Sequence, residues 1–318
     1  MSQTIMTLPT ELVTALQTIP ALARWSPDQW QIEQLGGVTN RNYRLRPAAA
    51  LPARTDVQTG RAGDAAADFV LRLPGLGTSS YLNRPAGIYN NLQAAAIGLA
   101  PDFIYADAER GWQLTRFLSG CRPLAAADLQ DAAIRQGIGR LLGRLQRDAG
   151  VFQHELRPFT IADRYLDLAP QADLVSLRHR ARGVEREIEG AAIPLVPAHI
   201  DPNPANFLLA EDGSLYLIDW EFSAMADPCW DLAAIALEGA YTLEATTALL
   251  QAAGHPAGAA MLRRIELFRC ALCLVASSWA YVEIAAGNGS GDLRRFAAQR
   301  QASFGQYLGR LGSGSLSI

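Results

Sequence analysis

The sequence predicts an α+β protein in two lobes, a small antiparallel sheet followed by a larger and mostly helical part. Three observations predict it. Between residues 31 and 115, short alternating apolar runs are separated by turn-forming segments, the pattern of half-buried strands. From Ala125 to Asp148, and again over 263–284, apolar residues recur at helical spacing. Between those helices lies a strand, turn and strand over 207–218. The boundary is expected near residue 117, with 1–117 as the first lobe and 118–318 as the second.

The chain of 318 residues is 49% hydrophobic and 19% charged, enough apolar material for a sizeable core. Its net charge of −3 implies no strong attraction to nucleic acid or an anionic membrane. The start, Met1-Ser2-Gln3-Thr4-Ile5-Met6, carries no basic segment with a long apolar core, so no signal peptide is expected. The apolar run around 270–282 reads as too short and interrupted for membrane insertion. Four cysteines suggest no disulfide framework, and a cytoplasmic location is the expectation. Cys270-Ala271-Leu272-Cys273 spells CxxC inside a helical apolar run without a second pair, which reads as helix packing, not a metal site.

In chain order, Leu8, Leu12, Leu16, Ile19 and Leu22 make a helical stripe over 8–24. Residues 31–35 alternate as a strand, Gly36-Gly37-Val38-Thr39-Asn40 turns, and Tyr43-Arg44-Leu45 returns. A glycine turn between strands lets a backbone approach phosphates closely, though such hairpins are also commonplace. Residues 47–67, rich in Ala, Pro and Gly, read as a surface loop. The strand 68–75 places Arg72 among apolar neighbours, costly unless the arginine faces outward or meets an anion. Strands at 103–105 and 112–115 complete the first lobe, with Arg116–Gly120 as the expected hinge. Helices follow over 125–148, from Phe159, over 171–191, near 230–240 and over 263–284. The tail from Gly309, rich in Gly and Ser, is expected to fray.

The chemistry concentrates in His199-Ile200-Asp201-Pro202-Asn203-Pro204-Ala205-Asn206 and Ile218-Asp219-Trp220-Glu221. Strands at 207–209 and 215–218, joined by a turn at Glu211-Asp212-Gly213, return Asp219 toward Asp201 and Asn206. Three oxygen-bearing side chains thereby converge at one sheet edge. Phosphoryl transfer needs such a set: a carboxylate to orient and deprotonate the attacking hydroxyl, and hard oxygens for Mg²⁺ on the nucleotide phosphates. Asp201 suits the first role, and Asn206 and Asp219 the second.

These blocks resemble the kinase-like phosphotransferases acting on small molecules, the group of choline, ethanolamine and aminoglycoside kinases. The stretch from Asp219 through Asp227-Pro228-Cys229-Trp230-Asp231 is most similar to the bacterial choline kinase branch. The resemblance implies a protein-kinase-like fold with a nucleotide-binding first lobe and a catalytic, acceptor-binding second lobe. It implies ATP as phosphoryl donor, Mg²⁺ as cofactor, and a small alcohol, with a cationic nitrogen, as acceptor. It assigns Gly37, Thr39, Asn40 and Arg72 to the nucleotide and has His199 and Asp231 brace the catalytic loop. It places Glu238 and Trp279 on the acceptor's cation, with Glu221 helping on the metal or acceptor side. Departures are also visible. Gly87 stands where the family has a glutamate paired with the basic strand residue, and no Asp or Glu occurs between Gly75 and Asp102. Ala276 and Phe222 replace aromatic positions of the choline branch. A thiamine or aminoglycoside kinase, and a nucleotide-binding pseudokinase, remain open alternatives.

Overall fold

The alternating segments of the first lobe form a five-stranded antiparallel sheet in the order β1-β2-β3-β5-β4. Its strands are β1 (Trp30–Leu35), β2 (Asn40–Pro47), β3 (Phe69–Pro74), β4 (Phe103–Asp107) and β5 (Trp112–Arg116). The structure is a computed structural model that describes residues 8–36, 40–48, 68–75, 81–288 and 291–312. The 47–67 loop therefore lies almost wholly outside the described residues. The chain divides into two units, Met1–Ile88 with Pro101–Gly120, and Tyr89–Ala100 with Cys121–Ile318. The helix α2 (Arg84–Ala96) starts in the first unit, and its later turns group with the second.

One face of the sheet buries Tyr43, Leu45, Leu71, Leu73, Trp112 and Leu114. The helix α1 (Thr10–Thr18) covers that face with Leu12, Ala15 and Leu16. It is shorter than the predicted 8–24 stripe, because Ile19 leaves helical geometry at φ −70°, ψ 118°. Ile19 and Leu22 still reach the same core from the turns that follow. Each such buried side chain contributes about 1.5–3 kcal/mol. Glu11 of α1 joins helix to sheet by pairing with Arg41 and accepting the Trp112 indole N–H at 3.0 Å.

The second unit is mostly helical. The strand β6 (Arg122–Pro123) begins it, and α3 (Ala132–Asp148) follows, capped by Asp131, whose carboxylate accepts Ala133 N at 2.7 Å and Ile134 N at 3.1 Å. The helix α4 (Pro158–Leu168) is next. The single helix predicted over 171–191 is two, α5 (Ala172–Arg180) and α6 (Arg182–Glu189), meeting at Ala181. After β7 (Val196–Ala198), the hairpin is β8 (Phe207–Leu209) and β9 (Leu215–Leu217), with Gly213 at φ +82° as its turn requires. β6 pairs with β8, and β10 (Ala224–Ala226) with β7.

The chain continues as α7 (Cys229–Glu238), α8 (Leu243–Ala253), α9 (Ala259–Glu283) and α10 (Gly291–Gly312). α8 and α10 were not anticipated. The expectation of fraying from Gly309 is corrected for residues 309–312, which are helical; the rest of that tail lies outside the described residues. α9 also corrects the reading of its apolar run. The stretch Ala259–Gly287 is long and apolar enough to cross a membrane by length and composition. In this fold α9 is a core helix, packed by α4, α7 and α10, with Phe268, Cys270, Cys273 and Leu274 fully buried.

Candidate active site

The site of the second unit is built on two left-handed residues. Ile200 has φ +74° and Asp219 φ +69°, conformations a side chain with a Cβ rarely adopts. Each is held from several sides. Ile200 N donates to Asp231 Oδ1 at 2.9 Å, and Ile200 O accepts the Trp230 indole N–H at 2.9 Å. His199 N donates to Asp231 Oδ2 at 2.7 Å. One buried carboxylate thus grips two successive amides of the loop leading to Asp201. Burial pushes the Asp231 carboxyl up to about 6, against the pull of those two N–H groups.

Asp219 is fixed through its neighbours. Ile218 N donates to Asn206 O at 3.0 Å. Ile218 O accepts from His199 Nε2 at 2.9 Å, so that ring nitrogen carries the proton. His199 is fully buried and lies edge-on to Trp220, ring centroids 4.7 Å apart. Trp220 donates its indole N–H to Leu217 O at 3.0 Å. His199 therefore links the Asp201 loop to the Asp219 turn.

Asp201 sits half-buried between two amides. Asn206 Nδ2 donates to Asp201 O at 2.9 Å and to Asp201 Oδ2 at 3.2 Å. Asn203 Nδ2 donates to the same Oδ2 at 3.1 Å. Burial, then the charge of Asp219, then that of Glu221, push the Asp201 carboxyl up to about 8, while the two amides pull it down. Tyr165 of α4, 3% exposed, has its hydroxyl raised first by burial and then by Asp201, with smaller effects from Glu283 and Glu221. Asp201, Asp219, Glu221 and Tyr165 thus share one electrostatic environment.

The donor chemistry suits a hard divalent cation. Asn206 commits its amide nitrogen to Asp201, which leaves its carbonyl oxygen for another partner; Asp219 follows Ile218, whose N–H donates to Asn206 O, and its charge is felt at Asp201. Among the described residues no group of three or more His, Cys, Asp or Glu could hold a metal, so any ion here would draw further ligands from elsewhere, as Mg²⁺ does with phosphates and water. The CxxC pair is buried in α9, and burial raises both thiols to about 12, which leaves it as packing.

In the first unit, Arg72 lies on the sheet face opposite Leu71 and Leu73, in register with Asn42 and Gln113. Asn40 is buried and accepts from Arg84 Nη1 at 3.1 Å. Gly37 and Thr39 lie outside the described residues.

The acceptor-side expectations fare differently. Glu238, at the end of α7, is exposed, and its carboxylate pairs with Arg300. Arg300 also lies over the Phe296 ring at 4.9 Å, and Phe296 meets Trp279 edge-on at 6.4 Å. Arg300 already neutralises the Glu238 carboxylate, so an external cation would compete with it there. Sequence reasoning missed Asn203, Tyr165 and the fully buried Glu283, which lies one helical turn beyond Trp279 on α9. Asn203 had a signal, the spacing at which an Asx side chain hydrogen-bonds within its own loop. Tyr165 and Glu283 had none, because only packing brings α4 and α9 together.

A family model described as the phosphotransferase enzyme family matches residues 31–268. Protein LicA of Haemophilus influenzae is 30% identical over 223 residues, 68% of this chain and 60% of that protein. The match thus spans about 60% of the relative's length. Among solved structures, a choline/ethanolamine kinase family protein from Mesorhizobium loti superposes with TM-score 0.74 at 26% identity, covering 95% of this chain and 98% of its own. The choline kinase LicA from Streptococcus pneumoniae gives TM-score 0.72 at 25% identity, covering 88% and 93%.

Proposed function

The chain belongs to the phosphotransferase enzyme family, and we propose that it moves the γ-phosphoryl group of ATP to the hydroxyl of a small amine alcohol, choline or ethanolamine. The observation that carries this reading is the Asp201–Asn206 pairing beside Asp219, in a loop whose strained backbone is over-determined by Asp231, Trp230 and His199. The similarity to choline and choline/ethanolamine kinases supports the acceptor class.

Asp201 acts as the base in its ionised form, which a cation held by Asn206 and Asp219 would favour against the burial that raises its carboxyl. Its Oδ2 is engaged by Asn203 and Asn206, which leaves Oδ1 to take the proton of the acceptor hydroxyl. Asn206 and Asp219 would hold Mg²⁺, with Glu221 as helper. When bound, that ion neutralises and orients the nucleotide phosphates. Arg72 and the Gly36–Asn40 turn, with Gly37, Thr39 and Asn40, hold the phosphates. Glu238 and Trp279 remain the acceptor-side residues, with Arg300 competing for the Glu238 carboxylate. A cytoplasmic location agrees with four free cysteines.

The test is ATP turnover with Mg²⁺ against choline, ethanolamine, thiamine and an aminoglycoside. Stimulation by choline or ethanolamine is expected. Stimulation by thiamine or the aminoglycoside alone would overturn the acceptor assignment. A second reading, nucleotide binding without transfer, draws on the lack of any Asp or Glu between Gly75 and Asp102. ATP binding with no turnover for any acceptor would favour it.

A further inference from the structure

The helix α2 carries no carboxylate, but it does carry a fully buried amide, Asn90. Its hydrogen bonds run to two separate backbone segments. Gln153 N donates to Asn90 Oδ1 at 2.8 Å, and Asn90 Nδ2 donates to Gln153 O at 3.2 Å. The other Nδ2 hydrogen goes to Ser223 O at 2.8 Å. Both amide hydrogens and the carbonyl oxygen are thus used, which makes this a specific clasp.

Ser223 closes the turn that starts at Asp219. Its N–H donates to Trp220 O at 3.1 Å, and its hydroxyl donates to the same oxygen at 2.5 Å. The turn between, Trp220–Phe222, is a single 3₁₀ turn, and Asp219 opens it in the left-handed region. On the Asp219 side the turn is held by the hairpin and His199. At the Ser223 end, Asn90 supplies a side-chain bond from a different helix. The segment that carries Gln153 is itself tied in next door, since Met225 N donates to His154 O at 2.9 Å and Leu156 N to Met225 O at 3.0 Å.

We infer that Asn90 is a positioning residue: by clasping Ser223 and Gln153 it holds the Asp219–Ser223 turn in its strained conformation and so keeps Asp219 and Glu221 aimed for metal binding. The metal-binding part rests on the phosphotransfer reading above. A backbone carbonyl 2.8 Å from a side-chain donor cannot shift without losing that bond, and a residue with positive φ relaxes once its surroundings stop dictating it.

The experiment compares wild type with Asn90→Ala and Asn90→Asp. The alanine variant is the milder one, because it removes the clasp without burying a charge. The aspartate keeps the acceptor for Gln153 N and sets an oxygen against Ser223 O, the stronger break of the same bond. Two readouts are taken, amide hydrogen exchange over 217–225 with α3 as internal control, and the Mg²⁺ concentration for half-maximal turnover. Exchange over 217–225 is expected to rise at least tenfold with α3 unchanged. The Mg²⁺ half-saturation is expected to rise at least tenfold, with the acceptor KM within about twofold. Exchange rising equally in α3 would reduce Asn90 to general stability, and unchanged exchange over 217–225 would overturn the clasp. Faster local exchange with unchanged Mg²⁺ half-saturation would overturn the aiming of Asp219. A wild type without Mg²⁺-dependent turnover would sink the phosphotransfer reading, and the exchange data then decide the clasp by themselves.

Discussion

Replacing Asp231 with asparagine tests the brace under the loop that carries Asp201. The carboxylate is 1% exposed and accepts His199 N at 2.7 Å and Ile200 N at 2.9 Å. An amide of the same shape offers one acceptor and turns an NH₂ toward the other N–H. One buried donor is left unpaired, which costs about 1–3 kcal/mol. The wild-type carboxylate carries its own cost, since burial lifts its pKa from 3.8 to about 6. An acid whose folded pKa lies above its unfolded one stabilises the fold through its proton. That contribution is complete below about pH 4 and is lost as pH rises through about 6, a change of about 3 kcal/mol. The wild type should therefore exceed Asp231→Asn in stability by more at pH 4 than at pH 8. Urea unfolding of both proteins across that range measures the difference directly, because all other titrations cancel. Turnover of the variant at pH 8 should fall at least tenfold as Ile200 is released. Equal midpoints at every pH would refute the brace, and a lead that does not change with pH would refute burial as the source of the shift.

Four further outcomes are expected. Asp201→Asn should lower turnover by about 10²–10⁴-fold while leaving the urea midpoint unchanged or higher, since it removes one of three neighbouring acids. Chelation by EDTA should abolish turnover and added Mg²⁺ restore it, and full activity in EDTA would exclude the role given to Asn206 and Asp219. Arg264 and Asp227 form a buried ion pair, with side chains 10% and 9% exposed. Arg264→Met should cost about 3–5 kcal/mol in chemical denaturation, and adding Asp227→Asn should recover part of it. Gly143→Ala should lower the melting temperature, because its Cβ would lie 2.2 Å from Ala253 O where α3 crosses α8; helices so forced apart cost about 1–3 kcal/mol.

Much of the fold was legible because its signals are local. The five strands of the first sheet appear where alternation placed them, and the hairpin turns at Gly213 as its sequence requires. The Asp201–Asn206 pairing was legible too, since five residues on a proline-rich loop leave few ways to separate them. Boundaries were less so. The first helix stops at Thr18 although its apolar stripe continues, because Ile19 and Leu22 reach the same core without helix. The helices α8 and α10 went unread, and within the described residues the helix persists past Gly309 to Gly312.

What lies along the chain within a few residues, such as strand alternation, the Asp201–Asn206 loop and the returning aspartate, is written in the sequence, because neighbours in sequence stay neighbours in space. What depends on distant segments is not. The pairing of Glu238 with Arg300, the clasp of Asn90 on Ser223, and the grip of Asp231 on His199 and Ile200 span 62, 133 and about 30 positions. Such contacts carry no local pattern; they arise only when helices and loops pack, and packing decides whether an acid is free for a ligand or already held by the protein's own groups.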